Sequence, residues 1–171
     1  MNVFVLLTFT DENAENARDM LLKKYRCVPS NVTILPWFSF LLEHGVRPFQ
    51  GAAGFKDMQF TGIQINPEGR NYYKRPTLRY YCNSSNAIYA AKLPELALHC
   101  NEQGGGAVLQ RLQRIFDAVL IDEVQDMAGY DYEFIKILFM IAEPFSDTAN
   151  RINQNVIIGP SFRFAEIENV G

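Results

Sequence analysis

The chain has 171 residues, 48% hydrophobic and 20% charged, with a formal net charge of −3 and a pI near 5.4. That length and apolar content allow one ordinary domain with a real core and a small insertion, and they exclude wholesale disorder. The acidic balance excludes bulk attraction to nucleic acid, so any such contact must come from a local basic surface or from base stacking.

Val3 to Leu7 is continuously apolar and reads as a buried strand. Thr8-Phe9-Thr10-Asp11 then turns into a helix over 12–25, with Ala14, Ala17, Leu21 and Leu22 as its stripe and Thr10 or Asp11 as N-cap. Val32 to Leu35 is a second short strand, and Pro36 suits the first turn of a helix from Trp37 to Gly45. Over 47–85 the glycines and prolines break any long period, which predicts an inserted or irregular region. Asn86 to Asn101 has helical spacing, with Pro94 starting a new helix or kinking one. Gly104-Gly105-Gly106 is a flexible joint before a short helix, Ala107 to Arg114. A strand at 117–121, a helix from Tyr130 to Ile141 and a last strand, Asn155 to Ile158, complete the order; the tail from Pro160 has no clear pattern. Strands alternating with helices imply an α/β fold with a parallel sheet flanked by helices.

Cys27, Cys82 and Cys100 are odd in number, scattered and without Cys-x-x-Cys spacing, which points to a reduced, cytoplasmic protein. With only His44 and His99 as imidazoles, a Cys/His zinc site is not expected. The first residues lack the features of a signal peptide, and no apolar run reaches the ~18 residues of a membrane span. In a cytosolic setting the glycosylation patterns at Asn31 and Asn83 are accidental.

The most informative segment is Phe116 to Asp126, an apolar run that stops at Asp122-Glu123 and continues Val124-Gln125-Asp126. Three acids and an amide at the carboxyl end of a parallel strand suit Mg²⁺ and a water held beside a nucleotide phosphate. The bland alternative is an N-cap with surface acids ahead of the next helix.

Ile121-Asp122-Glu123-Val124-Gln125-Asp126 resembles motif II, the Walker B element, of superfamily 1 DNA helicases of the UvrD/Rep kind: an apolar strand followed by Asp-Glu-x-Gln-Asp. Leu6-Leu7-Thr8-Phe9-Thr10-Asp11-Glu12-Asn13-Ala14 is similar to that family's motif Ia, an apolar strand, Thr-Phe-Thr-Asn and a helix that begins with small residues. Val32 to Phe40 stands where the family has Thr-Phe-His-Ser, with only Ser39 and the aromatic character kept. The likeness covers about 1–45 and 107–142. It implies an incomplete P-loop NTPase (RecA-like) sheet, with core at 1–46 and 107–159 and an insertion over about 47–106. By the same resemblance, Asp122 holds Mg²⁺ on ATP and Glu123 activates the attacking water. Gln125 and Asp126 then link nucleotide to DNA, while Thr8, Phe9 and Thr10 touch single-stranded DNA. Trp37 is a second stacking platform by that reading, with plain core packing as the alternative for it and for Phe38.

The chain also departs from that family. It holds no Gly-x-x-x-x-Gly-Lys-[Ser/Thr] loop, so nothing fixes the β- and γ-phosphates. Gly159 is followed by Pro160-Ser161 where the family's motif III reads Gly-Asp-x-x-Gln. The expectation is a fragment of a first motor domain, its abrupt start favouring truncation, that pairs with a second RecA-like domain and is inactive alone. A non-catalytic remnant that binds DNA or a partner is the alternative.

Two further readings compete. The cluster Tyr72, Tyr73, Lys74, Arg75, Arg79, Tyr80 and Tyr81 interleaves cations with aromatics as a single-strand surface would, with Tyr73, Arg75 and Arg79 on one face if it is a strand. Ordinary packing of an exposed hairpin is the simpler account. A metal-dependent nuclease would need more acids; Asp117 and Asp131 are near in sequence, but Asp117 is at the wrong end of the strand.

Overall fold

The computed structural model describes residues 3–65, 73–75, 77–140 and the backbone of 155–159. Strand β1 (Phe4–Thr8) leads to helix α1 (Asp11–Tyr25), then β2 (Val32–Pro36) and α2 (Trp37–Phe40), which continues as a π-helical turn, Leu41–Val46. After β3 (Gly62–Gln64), α3 (Leu78–Tyr81) and β4 (Ala87–Tyr89) come α4 (Leu93–Gln103) and α5 (Ala107–Ile115). The acidic segment is β5 (Ala118–Asp122), followed by a 3-10 turn, Val124–Asp126, then α6 (Tyr130–Met140) and β6 (Asn155–Gly159). Tyr72 and the tail from Pro160 lie outside the described residues.

The main sheet has the order β2-β1-β5-β6, and its pairings are all parallel. Alternation along β1 and β5 sorts the core. Val5, Leu7, Val119 and Ile121 face a large cluster with α2, α4, α5 and α6, while Leu6 and Leu120 face Ala14, Ala17 and Leu21 of α1. Because parallel strands are covered on both faces, β1 and β5 read as unbroken apolar runs. The α/β class with a small parallel sheet between helices is therefore as expected.

Local chemistry explains most boundaries. The Thr10 hydroxyl accepts from the Asn13 N–H at 3.1 Å and caps α1. Gly105 and Gly106 both take positive φ, 61° and 86°, and make a tight turn between α4 and α5 where a flexible joint was expected. At Gly45 an added Cβ would meet the Ala97 Cβ at 3.0 Å, so its bare backbone lets the π-turn lie close against α4.

Two expectations are corrected. The helical spacing over 86–101 covers a strand first: Ala87–Tyr89 pairs in parallel with β3, Ile63 opposite Ile88, and the long helix begins only at Leu93. Burial of Ile88 against the core outweighs its helical register. Leu78–Tyr81 is helical rather than extended, so Tyr73, Arg75 and Arg79 do not share a strand face. Helix α4, within the region read as an insertion, contributes Leu93, Leu96, Ala97 and Cys100 to the main core. Among the described residues no helix is long and apolar enough to cross a membrane.

Candidate functional site

Strand β5 lies between β1 and β6, and its register places Ile121 opposite Leu7 and Asp122 opposite Gly159. Asp122 thus ends an interior strand at the carboxyl edge of the sheet, where open α/β sheets bind ligands. The chain then turns sharply, because Glu123 adopts left-handed backbone angles, φ 59° and ψ 38°. That conformation is unfavourable for a residue with a Cβ and marks the turn as a place where geometry has been imposed. The Glu123 N–H donates to Asp122 Oδ1 at 3.0 Å, and the Asp126 N–H donates to the Glu123 carbonyl at 3.0 Å. Met127, buried in the core, anchors the far side of the loop.

The electrostatics follow from this crowding. Glu123 holds its proton above the ordinary carboxylate range, first because its side chain hydrogen-bonds with Asp126, then through partial desolvation and the negative charges of Asp122 and Asp126. Gln125 Nε2 donates to Glu123 Oε2 at 3.4 Å. Beside the acids, a cleft of about 210 Å³ is bounded by Asn13, Asn16 and Met20 of α1 together with Asp122 and Glu123. Asn16 and Met20 carry no motif, and only the packing of α1 against β1 and β2, with Leu120 of β5 in the same cluster, brings them to the acids.

Among the described residues no three His, Cys, Asp or Glu side chains converge as a ready-made metal cage. The donor set fits Mg²⁺ in another way: this ion is commonly held through one or two carboxylates, with water and phosphate oxygens completing its shell. Asp122 would supply the first contact, and a cation there would relieve the like-charge crowding around Glu123. For ATP phosphates the fit is poor, since the sequence lacks the glycine-lysine loop that cradles them.

No family model matches this sequence, and no curated protein matches it.

The expected single-strand contacts divide. Thr8 is 1% exposed and its hydroxyl donates to the Thr10 carbonyl at 3.0 Å, so its side chain is committed to the turn. Phe9 is half-buried, its ring 5.9 Å from that of Phe38. Thr10 is exposed but serves as the α1 cap. For Trp37 the core-packing alternative holds and the stacking platform does not: it is 0% exposed, stacked on Phe40, edge-on to Phe134, and its indole N–H donates to Asp131 Oδ1 at 2.6 Å. It is core, with no ring face open to a base. Sequence patterns cannot separate these roles, because a core position and a stacking platform both ask for an aromatic ring.

The aromatic-cationic cluster divides too: Tyr73, Lys74 and Arg75 are exposed, while Arg79 and Tyr80 are half-buried and Tyr81 is buried. Glu95 is 1% exposed, ion-paired with Arg75 and Lys92 and hydrogen-bonded by the Tyr80 hydroxyl at 3.0 Å. Arg75 also lies over the Tyr130 ring, and Lys92 over that of Tyr80. The nuclease reading gains no ligands here: Asp117 accepts from the Val3 N–H at 2.6 Å at the opposite end of β5, and Asp131 is taken by Trp37.

Proposed function

We propose that this chain is part of the ATP-binding motor domain of a DNA helicase of the UvrD/Rep kind, built on a P-loop NTPase (RecA-like) sheet. The observation that carries the reading is the placement of Asp122, Glu123 and Asp126 at the carboxyl end of an interior parallel strand whose neighbour β1 delivers Thr8-Phe9-Thr10 to the same edge. In a complete motor Asp122 would be the residue to hold Mg²⁺, and Glu123, made more basic than an ordinary carboxylate by Asp126 and Asp122, would be the residue placed to accept a proton from water. Gln125 and Asp126 lie on the loop between nucleotide and DNA. Single-stranded DNA contacts fall to Phe9, Thr10 and nearby backbone rather than to the buried Thr8 and Trp37. On this reading a second RecA-like domain and a phosphate loop, neither of them in this sequence, would have to complete the ATP site.

The test uses two measurements on the purified chain. Binding of a labelled oligothymidylate should weaken about tenfold in Phe9→Ala, the scale of one lost base stack. ATP turnover should be absent. Full DNA affinity in Phe9→Ala would remove the DNA assignment, and steady hydrolysis abolished by Glu123→Gln would overturn the expected inactivity. A second reading, a non-catalytic remnant that binds DNA or a partner, is favoured by the missing phosphate loop and by Gly159-Pro160-Ser161 in place of the family's motif III. Nucleotide or Mg²⁺ binding that is lost in Asp122→Ala would separate the motor reading from a chain whose acids merely cap the following helix.

A further inference from the structure

We infer that Asp131 is a positioning residue that ties the acidic loop to the β2–α2 junction, so that occupancy of the acidic edge is felt at the neighbouring strand edge. The identity of the two edges rests on the motor reading above. The tie itself is a set of hydrogen bonds. One carboxylate bridges two segments: Oδ1 accepts the Trp37 indole N–H at 2.6 Å, and Oδ2 accepts the Ala128 N–H at 3.3 Å. The first turn of α6 grips the loop twice more, through the Asp131 N–H to the Ala128 carbonyl at 3.1 Å and the Tyr132 hydroxyl to the Val124 carbonyl at 3.4 Å. Val124 and Ala128 flank Gln125 and Asp126, so the loop that presents the acids is fastened on both sides to one helical turn.

At the other end the indole cannot yield. Trp37 is fully enclosed by Phe40 and Phe134, and a buried indole N–H deprived of its acceptor is costly. Trp37 follows Pro36, which stands opposite Thr8, and Phe38 meets the Phe9 ring. A displacement of the acidic loop that draws Asp131 away must therefore move Trp37 with it or break the bond. The Thr8–Thr10 turn lies against the same junction.

Trp37 is the sole tryptophan, so 5-fluorotryptophan gives a single ¹⁹F resonance that reports this junction alone. MgCl₂ should shift that line in the wild type, and Asp122→Ala should abolish both the shift and Mn²⁺ binding measured by electron paramagnetic resonance. Asp131→Ala should keep Mn²⁺ affinity near the wild-type value yet lose the ¹⁹F shift. A purely structural residue would not separate the two readouts. If Asp131→Ala fails to fold, Asp131→Asn carries the test: it keeps an oxygen for the indole but turns an NH₂ toward the Ala128 N–H. Mn²⁺ binding with a wild-type line that never moves, or with a shift that survives in the Asp131 variants, overturns this inference alone. Failure of the wild type to bind Mn²⁺ overturns the cation role of the acidic edge and this inference with it.

Discussion

Two carboxylate centres in this chain are built on opposite principles. Glu95 is enclosed, with Arg75, Lys92 and Tyr80 engaging both oxygens, and its surroundings supply all that an ion needs. Glu123 stands at an open strand end beside two further acids, with no cation among its described partners; like charges and a hydrogen bond to Asp126 push its proton affinity up. An acid that the protein neutralises is spent on holding elements together. One left crowded with like charge is available to a cation or a proton. The contrast shows Glu95 committed to holding elements together, and it is the reason the proposed reading gives Glu123 a chemical role.

The largest effect that would sharpen the contrast is at Glu95. Replacement by alanine removes the carboxylate that the Tyr80 hydroxyl, Arg75 and Lys92 share, leaves Lys92 only its bond to the Tyr80 hydroxyl oxygen, and opens a cavity. Because Arg75 and Lys92 can reach water, the cost should fall at the low end for a broken buried pair, about 3 kcal/mol. Thermal melting should show this as a drop of roughly 5–10 °C, and an unchanged melting temperature would break the comparison. Next is Thr10→Ala, which removes the α1 cap at a cost of about 1 kcal/mol. Thr10→Ser should restore stability, so DNA affinity lost in both variants would separate a contact role from the cap.

Smallest in stability is Glu123→Gln. Its proton affinity is raised in the folded chain, so the stability it contributes is complete below the ordinary value of 4.5 and is lost as pH rises through the higher folded value. Glutamine does not titrate. Melting profiles of wild type and variant should diverge from about pH 4.5 upward, with the variant equal or more stable at neutral pH. A wild type more stable than the variant there would mean that Glu123 is paired after all, as Glu95 is.

Local sequence determined the elements whose signals are local. The apolar runs of β1 and β5, the Thr10 cap, the Pro36 helix start and the amphipathic α5 were legible, because each depends on neighbours within a few residues. The Asp122 to Asp126 cluster was legible for the same reason, as a strand end that carries acids. Only the tertiary structure decided that β1 lies between β2 and β5, that Trp37 is enclosed and bonded to Asp131 across 94 residues, and that Ala87–Tyr89 is a strand. Glu95 shows why. At the start of α4 it reads as a solvated acid favourable to the helix dipole, and nothing nearby in the chain announces that Arg75 and Tyr80 will close over it. Pairing between distant segments is settled by which faces can be buried together, and that information is distributed over the whole chain rather than held at any one position.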